Sequence, residues 1–428
     1  MTATLTTLIS FTGANGANPE GSLIVDANGD LFGTTSHGGT SNKGTVFELI
    51  PLGFNPITLV NDYALKNLVN FNGANGAAPQ GSLIADANGD LFGTTPEGGH
   101  HHEGTVFELV KSDSGYTLKT LVSFGGNLKI PSGSLTADSN GDLFGATLFH
   151  STVFELVKSG SAYTLDTLFK FTGDQGFAPS GSLIVDANGD LFGTTSSGGE
   201  KLPPIDVSVV PGVIPVFPFE ILFRSIELAQ QKGTVFELVK SGSTYTGKIL
   251  VNFNDANGAN GAHPLGGLIA DANGDLFGTT SDGGTIGLGT VFELVKSDSG
   301  YTLKTLVNFD GTNGATPKGS LIADTNGDLF GTTAGGGPSN LGTVFELVKS
   351  GSAYTLVNVV TFNGLNGAHP RGSLIADGRG HLFGTTSEGG SDANLHFTNH
   401  GTVFEISGVP NDFVSVVGVP MEQAHLAA

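Results

Sequence analysis

Short apolar runs bounded by Gly, Asn, Asp, Ser and Pro recur along the chain, and each has the length and make-up of a strand buried on both faces. In the first unit they are Gly21 to Val25, Leu31 to Thr35 and Thr45 to Ile50, followed by a segment whose clearest copy is Tyr301 to Phe309. We label these strands A, B, C and D. Two markers define the repeat. Leu31-Phe32-Gly33-Thr34-Thr35 returns, with Ala146 as its one change, from Leu91, Leu143, Leu191, Leu276, Leu329 and Leu382. Gly44-Thr45-Val46-Phe47-Glu48 returns from Gly104, Ser151, Gly233, Gly289, Gly342 and Gly401. The seven starts lie 60, 52, 48, 85, 53 and 53 residues apart, nearer a four-stranded propeller blade than a helical solenoid repeat. The pattern predicts an all-β fold: a seven-bladed β-propeller of four-stranded antiparallel blades over residues 1–408. An insertion at 201–232 falls in the fourth B–C loop, and a tail occupies 409–428.

No D-type segment follows the seventh strand C, which ends near Glu405. The missing strand stands at the other end, where Ala3 to Phe11 matches Tyr301 to Phe309 in its apolar positions. The N-terminal segment is therefore expected to complete the last blade, closing the ring and removing an exposed edge. The stretch from Asn411 to Ala428 has no place in this scheme. Of thirty Phe, twenty-one occupy three repeated positions, one in each marker and one at the end of strand D, as inter-blade packing requires.

The A–B connection Asp26-Ala27-Asn28-Gly29-Asp30 resembles a calcium loop in its alternating polar groups, but its glycine is fourth where an EF-hand loop needs the sixth. Aspartate first and glycine fourth suit a type I turn. The last copy, Asp377-Gly378-Arg379-Gly380-His381, keeps those two and loses the other would-be ligands, so calcium is not supported and the cofactor question stays open. The glutamates of the second marker, Glu48, Glu108, Glu155, Glu237, Glu293, Glu346 and Glu405, are equivalent in all copies and are expected to bond neighbouring backbone or threonine.

The two markers, the Asp-Ala-Asn-Gly-Asp turn and the Phe-Asn-Gly linker (Phe71-Asn72-Gly73, Phe362-Asn363-Gly364) resemble the GloVer tandem-repeat proteins of Gloeobacter and Verrucomicrobia. The resemblance covers nearly the whole chain apart from the insertion and the tail. It implies a bacterial propeller, often surface-exposed or exported, without an assigned reaction.

Thirty-nine acidic against eighteen basic residues give a formal net charge of −21, which repels phosphate backbones and argues against nucleic acid. Zero cysteines exclude disulfides and thiol chemistry. Met1-Thr2-Ala3 opens no basic and apolar leader, and no run of about 20 apolar residues exists to span a membrane. The expected location is extracellular or at the cell surface without a Sec signal, the low-charge stretch Phe413 to Ala428 being one candidate export signal. A cytoplasmic location stays open.

Strand order puts the D–A linkers and B–C loops on one face, with His37, His100, His101, His102, His150, His263, His369, His396 and His400. His100-His101-His102, beside Glu103, is the dense cluster and the candidate metal site, since neutral imidazole binds metal. The competing reading is that long polar loops carry histidine without a task. Departures from the repeat point to a second place. Thr147 reaches Thr152 through only four residues, which should leave a notch, while the next copy inserts Lys201 to Lys232. Ile205 to Val216 should be extended, and Phe219, Leu222, Phe223 and Ile226 fall at helical spacing. Phe149, His150, Phe177, Phe217, Phe219 and Phe223 therefore form a candidate partner-binding cluster, for another protein or for self-association. A flap that buries its own apolar side, or a membrane-surface or small-ligand role, are the alternatives.

An enzyme, a lyase or hydrolase on the same face, is the other functional class. No nucleophile elbow, zinc signature or phosphate loop is recognisable, and zero Trp with six Tyr disfavours a sugar platform. The sequence reading favours a binding or structural module.

Overall fold

The computed structural model describes residues 3–55, 60–126, 129–199, 232–253, 258–391, 398–409 and 413. Among them no helix occurs, and twenty-eight strands form seven four-stranded antiparallel sheets. The two markers face each other in every sheet. In the first blade Gly33 lies opposite Phe47, Phe32 opposite Glu48 and Thr35 opposite Thr45. This pairing explains the marker glycine. A Cβ on Gly33 would stand 2.6 Å from Phe47 Cζ, and the other six copies give 2.5 to 2.7 Å, so only glycine lets the cross-strand ring lie flat on strand B. The last marker threonine is used as specifically: Thr35 Oγ1 and Thr45 Oγ1 share a buried hydrogen bond of 2.8 Å, and Thr35 also donates to His37 O.

The core is a set of seven inter-blade layers, each drawing its side chains from two neighbouring sheets. All twenty-one repeated phenylalanines are at most 6% exposed. At each layer the Phe that closes strand D meets the next blade's strand C Phe, from Phe71–Phe107 at 5.3 Å to Phe171–Phe236 at 4.8 Å between ring centroids. Such tilted contacts set the positive ring edge against the negative face. The six tyrosines also belong to the repeat, one near the start of each D strand from the first blade to the sixth. Tyr116 packs edge-on to Phe32 of the preceding blade, centroids 6.0 Å apart, and Tyr163 to Phe92 at 6.1 Å. Burial pushes the phenols of Tyr63, Tyr116, Tyr163, Tyr301 and Tyr354 up to about 12, and Tyr245 in the same direction.

The ring closes as the sequence predicts. Thr4–Ser10 pairs antiparallel with Thr402–Ser407 in the same sheet as Leu382–Thr386 and Ile375–Ala376. The seam even carries the repeat's own irregularity. Phe404 faces Thr7 and Val403 faces Ile9, leaving Leu8 bulged, just as Phe47 faces Asn67, Val46 faces Val69 and Leu68 is bulged. Phe11 then meets Phe47 of the first blade at 5.2 Å. One place in this layer scheme would be empty, because Ala3 stands where the other D strands carry tyrosine. Phe413, from the stretch expected to lie outside the scheme, fills it: the side chain is buried and packs on Phe330 at 5.2 Å, as the tyrosines pack on Phe32 and Phe92.

The A–B connections are turns. Gly29 N–H donates to Asp26 O at 3.0 Å, and one Asp26 carboxylate oxygen accepts from the Asn28 and Asp30 amides at 2.9 and 3.0 Å. The last copy keeps the carboxylate bonds, Asp377 accepting from the Arg379 and His381 amides at 2.7 and 3.2 Å.

Candidate functional site

Strand A begins and strand B ends at one end of each blade, so the linkers and B–C loops share a face. Each D–A linker passes through a left-handed residue before a proline: φ is 54° to 55° at Asn18, Ala78, Ile130, Ala178, His263, Thr316 and His369. Side chains other than glycine are strained there. Sevenfold recurrence makes this a device of the fold, which ties the linker to the preceding blade. Ala78 N–H donates to Lys43 O at 2.9 Å, His263 to Lys232 O at 2.8 Å and His369 to Leu341 O at 2.8 Å.

The third and fourth blades depart from this arrangement where the sequence points. Their A strands run over nine residues, Lys129–Ala137 and Phe177–Val185, against two in the other blades, and their B strands reach Phe149 and Ser197. The sheet thus continues up to the loop-rich face. The third B–C connection is reduced to His150 and Ser151, with φ of 66° and 46°. Ser151 stands where other copies have the marker glycine, and its Oγ accepts the Ala178 amide at 3.0 Å, replacing the backbone carbonyl used elsewhere. That bond brings the Phe149-His150-Ser151 turn next to Phe177-Ala178 of the following blade. Phe149 is 58% exposed, His150 is exposed and Phe177 is half-buried. Phe217, Phe219 and Phe223 lie outside the described residues.

His100, His101 and His102 sit in the second B–C loop, but their roles differ. His100 and His101 touch edge-on, centroids 4.7 Å apart. The His101 ring also covers Gly125 of the following linker, where a Cβ would fall 2.7 Å from its Cδ2. His102, with φ 58°, takes the left-handed turn position that Asn42, Asn340 and Asn399 take elsewhere. Among the described residues no three His, Cys, Asp or Glu side chains gather around a point that would hold a metal ion.

A further group lies at the centre of this face, and sequence reasoning missed it. The glycine opening each strand A abuts its counterpart in the next blade: a Cβ on Gly21 would stand 2.7 Å from Gly81 O, and so on around to Gly372, 2.8 Å from Gly21 O. The inner strands therefore touch in a continuous ring about the axis. Threonines brace it, with Thr34 donating to Gly81 O at 3.1 Å and Thr385 to Gly21 O at 3.0 Å. Serine hydroxyls run beside it, Ser22 N–H donating to Ser82 Oγ at 2.9 Å and Ser373 N–H to Ser22 Oγ at 2.8 Å. The residue just before each ring glycine, after the linker proline, lies on the rim toward the loop-rich face. The first four blades place Glu20, Gln80, Ser132 and Ser180 there, and the fifth places Leu265. The sixth and seventh place Lys318 and Arg371. The signal was available: this position varies freely between an invariant Pro and an invariant Gly.

Nearer the A–B turns, the marker glutamates depart from expectation. Their partner is neither backbone nor threonine but a cross-strand lysine in four blades: Lys66–Glu48, Lys119–Glu108, Lys248–Glu237 and Lys304–Glu293, each at 2.9 Å. Three copies lack that lysine. Glu155 faces Asp166 and Glu346 faces Val357, and burial, helped by nearby aspartates, raises both carboxyls above the usual range. Glu405 faces Thr6, and its carboxyl is also raised by burial, with His381 3.7 Å away pulling the other way. His381 itself bonds Asp377 at 2.9 Å, which raises the imidazole.

No curated protein matches the chain. Solved structures match at low identity. A protein from Lactobacillus plantarum is 15% identical over 80% of this chain and 85% of its own, with a TM-score of 0.50. The PQQ-bound aldose sugar dehydrogenase of Streptomyces coelicolor is 12% identical over 80% of this chain and 96% of its own, with a TM-score of 0.44. A chain of a nidogen/laminin complex is 16% identical over 71% and 86%, with a TM-score of 0.41. The family model of the Gloeobacter/Verrucomicrobia repeat matches residues 1–151 and 223–417, well over half of the sequence, and the protein belongs to that family.

Proposed function

We propose that this propeller is a non-catalytic binding module that takes a protein partner, or a second copy of itself, on the loop-rich face at its third and fourth blades. The observation that carries the reading is Phe149, held 58% exposed at the tip of an extended sheet on a two-residue turn. Phe149 lies outside the twenty-one repeated positions, all of which are buried, so the repeat has no packing use for this ring. Exposed aromatics beside a polar rim are where binding energy concentrates. His150 and Phe177 flank it through the Ser151–Ala178 bond.

Sedimentation of the full chain over a concentration series, alone and with candidate partners, tests the reading. Phe149→Arg should abolish association while leaving the melting temperature within about a degree, as surface substitutions do. Association unchanged in that variant would remove the basis for the proposal. We place the protein outside the cytoplasm, on the resemblance to propellers that are often surface-exposed or exported; digestion by protease added to intact cells checks this.

A further inference from the structure

We propose that the axial rim on the loop-rich face, where the sixth and seventh blades meet the first, is a binding site for a carboxylate, held by Lys318 and Arg371 and guarded by Glu20. This inference does not rest on the partner surface at the third and fourth blades.

Rim side chains lean toward the next blade around the axis. Ser132 Oγ donates to Pro179 O at 2.8 Å and Ser180 Oγ to Pro264 O at 2.9 Å, which satisfies both. The same lean carries Arg371 to Glu20, with Nη1 3.3 Å from Oε1. Lys318 lies within the electrostatic reach of Arg371 and Glu20, and of Asp282 from the preceding blade. Packing does not call for these two cations. The lysines at repeated strand positions serve the repeat, either against a marker glutamate, as Lys66 does, or over a tyrosine ring, as Lys111 does 5.8 Å from Tyr116. In a chain of net charge −21, Lys318 and Arg371 are the two cations of the rim position, set against Glu20 and Asp282.

The pair is incompletely satisfied by the protein. Glu20 meets the guanidinium through one long contact rather than a two-pronged one. Arg371 Nε is buried with no hydrogen-bond partner, a costly state for a charged donor. Burial and the neighbouring Arg371 both pull the Lys318 amine below the usual lysine range. An added oxyanion would give Arg371 and Lys318 a shared counter-charge, and a carboxylate suits the exposed edge of the guanidinium with a lone pair left for the lysine. A polyphosphate would bring more charge than a net-negative molecule tolerates. Glu20 is then an internal competitor for the same guanidinium.

The carboxylate could belong to a small acid or to a polypeptide, and two probes separate these. Succinate, and an N-acetylated, C-amidated Gly-Asp-Gly peptide, are titrated at constant ionic strength into the full chain by calorimetry, and the Nε–H resonance of Arg371 is followed in the proteins that keep that residue. Saturable binding of succinate alone assigns a small acid, and binding of the peptide assigns an acidic polypeptide. Lys318→Met should weaken binding about tenfold, the scale of a charged hydrogen bond. Arg371→Lys, which keeps the charge and loses the fork, should weaken it too. Glu20→Gln should tighten it, a gain that a merely structural role for these residues does not produce. No saturable binding of either probe to the Glu20→Gln protein, or equal affinity in all four proteins, would overturn the proposal.

Discussion

Single residues carry more of this molecule's individuality than its strands do, because the repeat equalises everything else. The seventh blade shows how. His381 replaces an aspartate and bonds Asp377, which raises the imidazole and, through the same bond and two backbone amides, lowers the Asp377 carboxyl against its burial. A raised histidine stabilises fully below its unfolded value near 6.5, and that contribution fades as pH climbs through the folded value. A depressed aspartate stabilises above about 3.8 and loses its share as pH falls through the folded value. Calorimetric melting temperatures should therefore drop between pH 6 and pH 8.5, and His381→Gln should flatten that slope. Glu155 and Glu346, raised by burial, act in the same direction at lower pH, since a raised carboxyl favours the folded state below its unfolded value and the benefit is lost as pH passes upward through the folded value. None of this was readable from the string of letters. Seven identical glutamates look interchangeable until the cross-strand residue opposite each one is known, and register sets that residue.

At the scale of elements, the marker spacing was enough to place strands A to D, because glycine under a cross-strand phenylalanine and threonine beside threonine are demands of one particular register. Strand A was less legible. It shrinks to two residues in five blades and lengthens to nine in the two where the face is remodelled, a difference that long-range pairing decides and local composition does not. The place of Phe413 was invisible for the same reason, since its slot exists only once the sixth and seventh sheets are stacked. That slot yields a sharp expectation. Phe413→Ala should cost about 3 kcal/mol as a buried aromatic truncation, whereas Phe413→Tyr should cost little, because tyrosine fills the equivalent slot in the other blades. Denaturant melts of the three proteins decide it.

For the whole molecule, closure by residues 4–10 is what makes seven sheets one cooperative object. Removing residues 1–11 would leave the last blade with three strands and a bare edge, and would strip Phe11 from Phe47. The truncated chain should melt lower and self-associate, and a synthetic peptide of residues 3–11 should restore the melting temperature in a concentration-dependent way. An unchanged melt would show that the seam is dispensable. The candidate sites divide along the same line between legible and not. Phe149 and His150 could be named as candidates because a shortened loop is a gap in a pattern, while Lys318, Arg371 and Glu20 could not, because they are far apart in the chain and only the ring makes them neighbours.

The seam has a mechanical corollary. Thr4 pairs with Ser407 and Ser10 with Thr402, so the outward ends of the two strands leave the sheet at the same corner. Traction between residues 3 and 409 would load the rungs one after another, like a zip pulled from its slider, instead of all together in shear. The closed ring would thus yield to modest tension applied at that corner, and a tether that must bear force would do better attached through one strand alone.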